Sequence, residues 1–364
     1  MKNINILHII ASSTWGGGEK YVHDLSVKSK ENGYDIFLIS RKSDVIEQKM
    51  KDINVPIKTL PLKNCFDLYS IIYLSYFIRK NKIDLVHVHQ FKDAFMILFA
   101  SLLVSRTIKI VLTRHLVQKA KTNILYRFLY RKICAFIFVS YLSRDTFLSS
   151  NPIISTNIIE VIHNSINPFP LESIHCINLR DKYQIASETK VLTFTGRLVP
   201  DKGLDVLLKA LVINKNLDVI LFVFGVGNDE YMDELKKYVR NEGLDHKVHF
   251  MGFVDDLVPY IKQTDIGVFP SICQESFGLM LLDFMKEGVA VITTNNGAQK
   301  EFIENQKEGI LIRPNNIDDL WVAISELVKN HEMRFQIGCQ AKARFERELS
   351  YDIFFEKISQ IYLS

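Results

Sequence analysis

Short apolar runs alternate with amphipathic helical stretches along almost the whole of this 364-residue chain. Strand-like runs fall at Ile4–Ile10, Asp35–Ile39, Leu85–His89, Lys109–Leu112, Phe136–Val139 and Ile158–Ile162. A second series follows at Val191–Phe194, Val219–Phe224, Val248–Met251, Ile266–Phe269, Ala290–Thr293 and Gly309–Ile312. Helical periodicity fits Lys20–Asn32, Leu68–Lys80 and Ala94–Val104, then Leu204–Leu211, Met232–Asn241, Leu279–Lys286, Asp318–Lys329 and Arg334–Glu348. Strands separated by helices of that length are joined by crossovers, and crossovers make right-handed βαβ units and parallel sheets. The chain is too long for one such sheet and suits two. The Pro-punctuated stretch NSINPFPLES, Asn164–Ser173, reads as the linker. The expected organisation is a Rossmann-like domain over 1–170, a second over 171–345, and a C-terminal helix, 346–364, returning to pack on the first. A cleft between the two domains follows.

Composition narrows the class. Hydrophobic and charged fractions of 48% and 24% are those of a globular protein, and no apolar run is long enough to span a bilayer. The opening MKNINILHIIASS contains Asn5 and His8 and runs into a glycine turn, so it reads as a first strand and not a signal peptide. Five scattered cysteines without CxxC spacing point to reduced thiols in the cytoplasm, not to a disulfide framework or zinc site. Net charge is only +4, yet Arg114, Lys119, Lys121, Arg127, Arg131 and Lys132 cluster without an acid among Leu125, Tyr126, Phe128, Leu129 and Tyr130. That segment, Lys119–Lys132 above all, suits a helix on an anionic membrane surface, or equally a partly buried helix with a solvated basic face. Nucleic acid is excluded as a partner because no binding module accompanies the charge.

The chemistry sits in the turns after strands. The stretch PSICQESFGLMLLDFMKEG, Pro270–Gly288, places Glu275 and Gly278 between a strand and a helix start, with Asp283 eight residues after Glu275. Such a turn offers free N–H groups and a positive dipole end to an anion. A carboxylate there would repel phosphate and prefers hydroxyls, so the pair implies a ligand that carries both phosphates and sugars. SSTWGGGEK, Ser12–Lys20, has glycines for close approach to phosphate at another helix start, but GGG followed by Glu19 is not a dinucleotide fingerprint. FTGRLVPDKG, Phe194–Gly203, holds Arg197 and Lys202 on a loop braced by Gly196, Pro200 and Gly203, where two cations can embrace a diphosphate. FGVG, Phe224–Gly227, offers Gly225 to a nucleotide, and His115 follows Thr113 and Arg114 at a strand end.

Taken in order, these motifs resemble the retaining glycosyltransferases of family 4, with the GT-B fold. They are GGGE at 16–19, His115, HNSIN at 163–167, GRLVPDKG at 196–203 and PSICQESFGLMLLDFMKEGVAVITTNNGAQKEFI at 270–303. The resemblance spans essentially the whole chain. It implies two Rossmann-like domains facing a cleft, the N-terminal one (1–170) binding the acceptor and the C-terminal one (171–345) the nucleotide-sugar donor, transfer of a sugar from that donor (UDP favoured, GDP the other option), and no required metal or cofactor. By the same resemblance Arg197 and Lys202 hold the donor diphosphate, Glu275 contacts hydroxyls of the transferred sugar, and His115 lies near the reacting sugar. Gly17 and Gly18 approach donor phosphate. Gly196, Gly225, Ser276, Phe277, Gly278 and Leu279 line the donor site, and Phe253 and Val254 mark the region that receives the base. Asp283 stands where the family usually has a second glutamate, and its shorter reach bears on donor affinity. Ala298 follows Gly297 where two glycines are common.

The implied reaction is front-side transfer, with Arg197, Lys202 and the helix start at Gly278 stabilising the departing charge; covalent catalysis by Glu275 is the second mechanism. The acceptor is expected to be a glycan or lipid-linked sugar of a bacterial surface polysaccharide or lipopolysaccharide. The expected location is the cytoplasm, peripheral on the inner face of its membrane. A sugar-nucleotide 2-epimerase and a non-catalytic nucleotide-sugar binding subunit are the competing functions.

Overall fold

The computed structural model describes residues 4–12, 15–167 and 178–364. The linker expected at Asn164–Ser173 falls largely outside them, as do Ser13 and Thr14 of the first glycine turn. The chain divides into two compact units, Met1–Asn164 with Asp352–Ser364, and Ser165–Tyr351.

The first unit contains β1 (Asn5–Ile10), β2 (Asp35–Ser40), β3 (Ile57–Thr59), β4 (Leu85–Val88), β5 (Lys109–Arg114), β6 (Ala135–Phe138) and β7 (Ile159–Val161), paired in the order β3-β2-β1-β4-β5-β6-β7. Every pairing is parallel. Side chains alternate across this sheet. Leu7, Ile9, Val86, Val88, Ile110 and Leu112 enter one core with Ile71, Leu74 and Ile78 of the helix Leu68–Lys80 and the nearly all-apolar helix Phe91–Leu102. The opposite face carries His8 and His87, direct register partners on β1 and β4. The C-terminal helix, Tyr351–Leu363, buries Phe354, Phe355, Ile358 and Tyr362 in this unit and ties to it through Tyr34–Ser359 at 2.7 Å.

The second unit contains β8 (Lys190–Thr195), β9 (Val219–Phe224), β10 (Val248–Gly252), β11 (Ile266–Phe269), β12 (Ala290–Thr294) and β13 (Ile310–Ile312), in the order β10-β9-β8-β11-β12-β13. It too is entirely parallel. Central strands such as β9 are buried along their whole length, which explains their unbroken apolar sequence. Two of the helices around it are amphipathic and capped by asparagine. Asn228 caps Asp229–Asn241, which buries only Leu235 and Val239 four residues apart, and Asn316 caps Ile317–Lys329.

In both sheets strand order reverses once, between β1 and β4 and between β8 and β11. Ligands of open α/β sheets bind outside the carboxyl ends of strands at such a point. The helix expected across the basic segment is much shorter than its sequence suggests. It spans Ile124–Tyr130, with Leu129 and Tyr130 buried, and Arg114 belongs to β5, 5% exposed, instead of to a basic face.

Candidate functional site

In the second unit the turns leaving β8 and β11 meet at the switch point. After β8 the chain passes Gly196 and exposed Arg197, makes a 3-10 turn Pro200–Lys202, and enters the helix Leu204–Ile213 through Gly203 at φ 69°. A Cβ on Gly203 would stand 2.1 Å from the Pro270 carbonyl oxygen, so glycine is required for this loop to lie against the end of β11. Gly225 closes the neighbouring edge: its φ is 134° and an added Cβ would fall 1.8 Å from the Gly196 carbonyl oxygen. The two loops are locked by backbone contact, and Ile272 donates its N–H to the Asp201 carbonyl at 2.8 Å.

This locking brings Lys202 onto Glu275. Lys202 Nζ donates to Glu275 Oε1 at 2.5 Å, and the Ser271 hydroxyl donates to the same oxygen at 2.6 Å. The two charged side chains are 13% and 17% exposed. The carboxylate at an anion site is thus explained by a cation beside it. Ser271 was not singled out from the sequence; its place four residues before Glu275 in the same turn was the available signal. Backbone holds Glu275 as well, with Ala298 N–H donating to its carbonyl at 2.9 Å. Gly297 has no room for a side chain, since a Cβ would lie 2.7 Å from Glu275 N. Cys273, in the same turn, has its thiol pushed up by burial and then by Glu275.

The remaining residues expected at the donor site sort by position. Gly278, at φ 95°, caps the helix Leu279–Lys286 without a side-chain bond, which leaves N–H groups of the first turn facing out of it. Ser276 and Leu279 flank it and are half-buried. The Phe277 ring is buried against Phe302 at 5.0 Å, so its side chain offers no surface to a ligand. Asp283 is half-buried in the second turn of that helix. Beyond Gly252 Phe253 is 62% exposed, while Val254 packs toward Phe222 and Phe224.

His115, Gly17 and Gly18 lie in the first unit. Gly17 and Gly18 open the helix Gly17–Glu31 after the turn from β1, and a Cβ on Gly18 would meet nothing within 4 Å. His115 follows β5 and ends a row of imidazoles: His8 Nδ1 is 3.4 Å from His89 Nε2, and His89 Nδ1 is 3.2 Å from His115 Nε2. Burial pulls His8 down to about 3 and His115 to about 4, and holds His87 and His89 well below the ordinary histidine range, so all four are neutral at pH 7. Each ring then has one N–H, and the row can run only in one direction or the other. His8 Nε2 is buried without a partner. A buried orphan N–H is rarer than a buried orphan acceptor, so the assigned order runs from His8 Nδ1–H outward and leaves His115 with Nδ1–H.

His8, His87 and His89 bring ligand nitrogens within 4.8 Å of one another, the grouping closest to a metal set among the described residues. Yet both nitrogens of His87 are engaged, Nδ1 with the Tyr362 hydroxyl and Nε2 with Thr113 Oγ1, each at 2.7 Å. The cluster is a hydrogen-bonded packing of neutral rings.

Residues 177–344 match the family model described as glycosyl transferases group 1, and residues 15–168 match glycosyltransferase family 4. The capsular polysaccharide biosynthesis glycosyltransferase CapM of Staphylococcus aureus is 24% identical over 383 residues, spanning 100% of this chain and 97% of that protein. An uncharacterized glycosyltransferase of Methanocaldococcus jannaschii is 29% identical over 211 residues, 56% of this chain and 53% of its own length; the match spans about half of that relative. Among solved structures, a glycosyltransferase from Rickettsia africae superposes with TM-score 0.88 at 22% identity, over 100% of this chain and 98% of the other. Anabaena HepE, solved with UDP, gives 0.86 at 18% identity, over 99% and 100%.

Proposed function

This chain is a glycosyltransferase of family 4 with the GT-B fold, and from that premise we propose that it transfers a sugar, with retained configuration, from a UDP-linked donor to a glycan or lipid-linked acceptor of a surface polysaccharide. The observation that carries this reading is the Lys202–Glu275 pair at the β8/β11 switch point, beside the uncapped helix start at Gly278. One cation and a row of N–H groups suit a diphosphate; a carboxylate within the same turn suits sugar hydroxyls. Exposed Arg197, whose guanidinium makes no hydrogen bond or ion pair among the described residues, supplies a second cation. UDP is favoured over GDP because Anabaena HepE, similar over its full length, was solved with UDP. The polysaccharide acceptor follows the capsular role in the name of CapM.

In the proposed step the bond from the sugar's anomeric carbon to phosphate oxygen breaks, and its electron pair leaves with the nucleoside diphosphate. The acceptor hydroxyl oxygen bonds to that carbon on the same face and passes its proton to the departing phosphate oxygen. Lys202, Arg197 and the N–H groups after Gly278 stabilise the charge that develops there, while Glu275 orients the sugar. No metal is needed, because these groups already neutralise the diphosphate; added chelator should leave turnover unchanged.

No helix among the described residues is long and apolar enough to cross a membrane. The segment at Lys119–Lys132 exposes Ile124 (84%), Phe128 and Leu125 next to Lys121, Arg127, Arg131 and Lys132. That combination of apolar edge and basic surround supports peripheral attachment to an anionic bilayer. A panel of UDP- and GDP-sugars tests the donor reading through thermal stabilisation and acceptor-independent hydrolysis. If no nucleotide or nucleotide sugar raised the melting point, the reading would fail.

A further inference from the structure

The backbone of Glu275 is held firmly, but its carboxylate hangs on two bonds. Ala298 N–H donates to the Glu275 carbonyl at 2.9 Å, and Gly297 packs against the Glu275 amide. Beyond that backbone a glutamate side chain keeps many rotamers unless something removes them. The two bonds that do so, from Lys202 Nζ and the Ser271 hydroxyl, fall on the same oxygen, Oε1, and no hydrogen bond reaches Oε2 among the described residues. Oε2 is therefore the oxygen left for a ligand hydroxyl, and the bonds on Oε1 decide where it points.

The two holders differ in kind. The Lys202 ammonium is a point charge at the tip of a flexible four-carbon stem, and a diphosphate at the helix start beside it competes for that cation. The Ser271 hydroxyl is neutral, sits one bond from the backbone and is buried. Its own backbone is clamped from the end of β12. The Thr294 hydroxyl donates to the Ser271 carbonyl at 2.9 Å, and Asn296 Nδ2 donates to the Ile272 carbonyl at 2.7 Å. Thr294 Oγ1 accepts in turn from Gln299 Nε2 at 3.2 Å, and both of these side chains are fully buried. A hydroxyl has one hydrogen to give, and this one is committed to a charged acceptor. Lys202 can leave Glu275 when a ligand arrives; Ser271 stays.

We propose that Ser271 is a positioning residue, which pins Glu275 Oε1 while Lys202 changes partner from the carboxylate to the donor diphosphate, so that Oε2 stays aimed at a hydroxyl of the transferred sugar. The inference rests on the reading of Lys202 and Glu275 as the donor site. With a nucleoside diphosphate alone, water fills the sugar's place and hydrates the acid, so Ser271 matters little. With the sugar in place that water is displaced, and Ser271 is what keeps the carboxylate in register with the ring.

The test takes the full chain as wild type, Ser271→Ala and Ser271→Thr. Its probe is whichever of UDP-glucose, UDP-galactose, UDP-N-acetylglucosamine and GDP-mannose stabilises wild type most, with the matching nucleoside diphosphate beside it. Calorimetry reads both affinities, and acceptor-independent hydrolysis reads kcat. Ser271→Ala raises the Kd of the sugar nucleotide tenfold or more, about 1.4 kcal/mol, and lowers kcat by a similar factor. The Kd of the nucleoside diphosphate stays within threefold of wild type. Ser271→Thr keeps the hydroxyl and brings all three constants back to within threefold. The proposal is overturned if Ser271→Ala binds and turns over the sugar nucleotide as wild type does, or if it loses the nucleoside diphosphate by the same factor, which would mean that Ser271 shapes the Lys202 loop instead of aiming the acid. It is overturned as well if Ser271→Thr is as impaired as Ser271→Ala, or if Ser271→Ala fails to fold, either of which would make the residue structural. Wild type that bound neither probe would remove the donor reading and this inference together; wild type that binds both, with their affinity ratio unchanged in Ser271→Ala, removes the inference alone.

Discussion

Replacing Lys202 by alanine should cost stability as well as donor affinity, and the two losses should be separable. Exposed ion pairs are worth roughly 0.2–1 kcal/mol, whereas removing one partner of a buried pair costs roughly 3–5 kcal/mol. Lys202 and Glu275, 13% and 17% exposed, sit nearer the buried limit. Glu275 keeps the Ser271 hydroxyl at 2.6 Å, which cushions the loss. Lys202→Ala should therefore destabilise by about 2–3 kcal/mol. Glu275→Ala should cost about 1–2 kcal/mol, since the ammonium it orphans sits on a flexible stem that can swing to water. The double variant should lose less than the sum, with a coupling of about 1–2 kcal/mol. UDP should report the second role of the same lysine. At a UDP concentration one hundred times the wild-type Kd the ligand adds about 2.7 kcal/mol; if Lys202→Ala raises Kd a hundredfold, the same concentration adds only about 0.4 kcal/mol. Urea unfolding of the four proteins with and without UDP measures both quantities. Additive single losses, coupling below about 0.5 kcal/mol, or UDP protection undiminished in Lys202→Ala would refute the reasoning.

Gly203→Ala should cut UDP affinity at least tenfold and lower the melting point, because its Cβ would collide with the Pro270 carbonyl at 2.1 Å and part the loop of Lys202 from the turn of Glu275; near-normal UDP calorimetry would count against that geometry. Stability should fall on acidification below pH 6.5. His8 and His115, lowered by burial to about 3 and 4, stay neutral in the fold while the unfolded chain takes up protons from 6.5 downward, and the lowered His87 and His89 add to the same slope. Asp93, raised to about 7, works the other way between about 4 and 7 but is a single group against four; urea midpoints at pH 7.5 and 5.0 decide the sign. Phe128→Asp combined with Ile124→Asp should abolish cosedimentation with phosphatidylserine-containing vesicles without moving the melting point by more than a degree or two, and unaltered cosedimentation would remove the membrane reading.

Most strands were legible because a buried parallel strand has no polar face to interrupt it: Val219–Phe224, Ile266–Phe269 and the helices Leu68–Lys80 and Leu279–Lys286 lie where the apolar pattern puts them. Two marginal elements escaped, although the edge strands β7, β10 and β13 were read. β3 is three residues long with Lys58 exposed at its centre, and the helix Asp44–Asp52 buries only Ile46 and Met50. Neither supplies enough apolar residues for a period to be seen. The basic segment misled in the opposite sense, since charge counting along the chain cannot tell Arg114, buried at a strand end, from Arg131, which is exposed.

What no reading along the chain could supply is the partner of Glu275. A carboxylate beside a helix start looks self-defeating until β11 is laid beside β8, an adjacency created by the reversal of strand order. That one topological step delivers a lysine 73 residues away onto the acid. The same logic governs the first unit, where His8 and His87 become register partners only because β1 and β4 adjoin at the equivalent reversal. In each unit the chain thus gathers its costly groups where two strand ends diverge. The outcomes differ: in the second unit the charges satisfy each other, and in the first Asp93 and Arg114 Nε are left unsatisfied. A pair that is complete in itself must be broken by its ligand, so binding at Lys202 and Glu275 is an exchange of partners with a modest net gain.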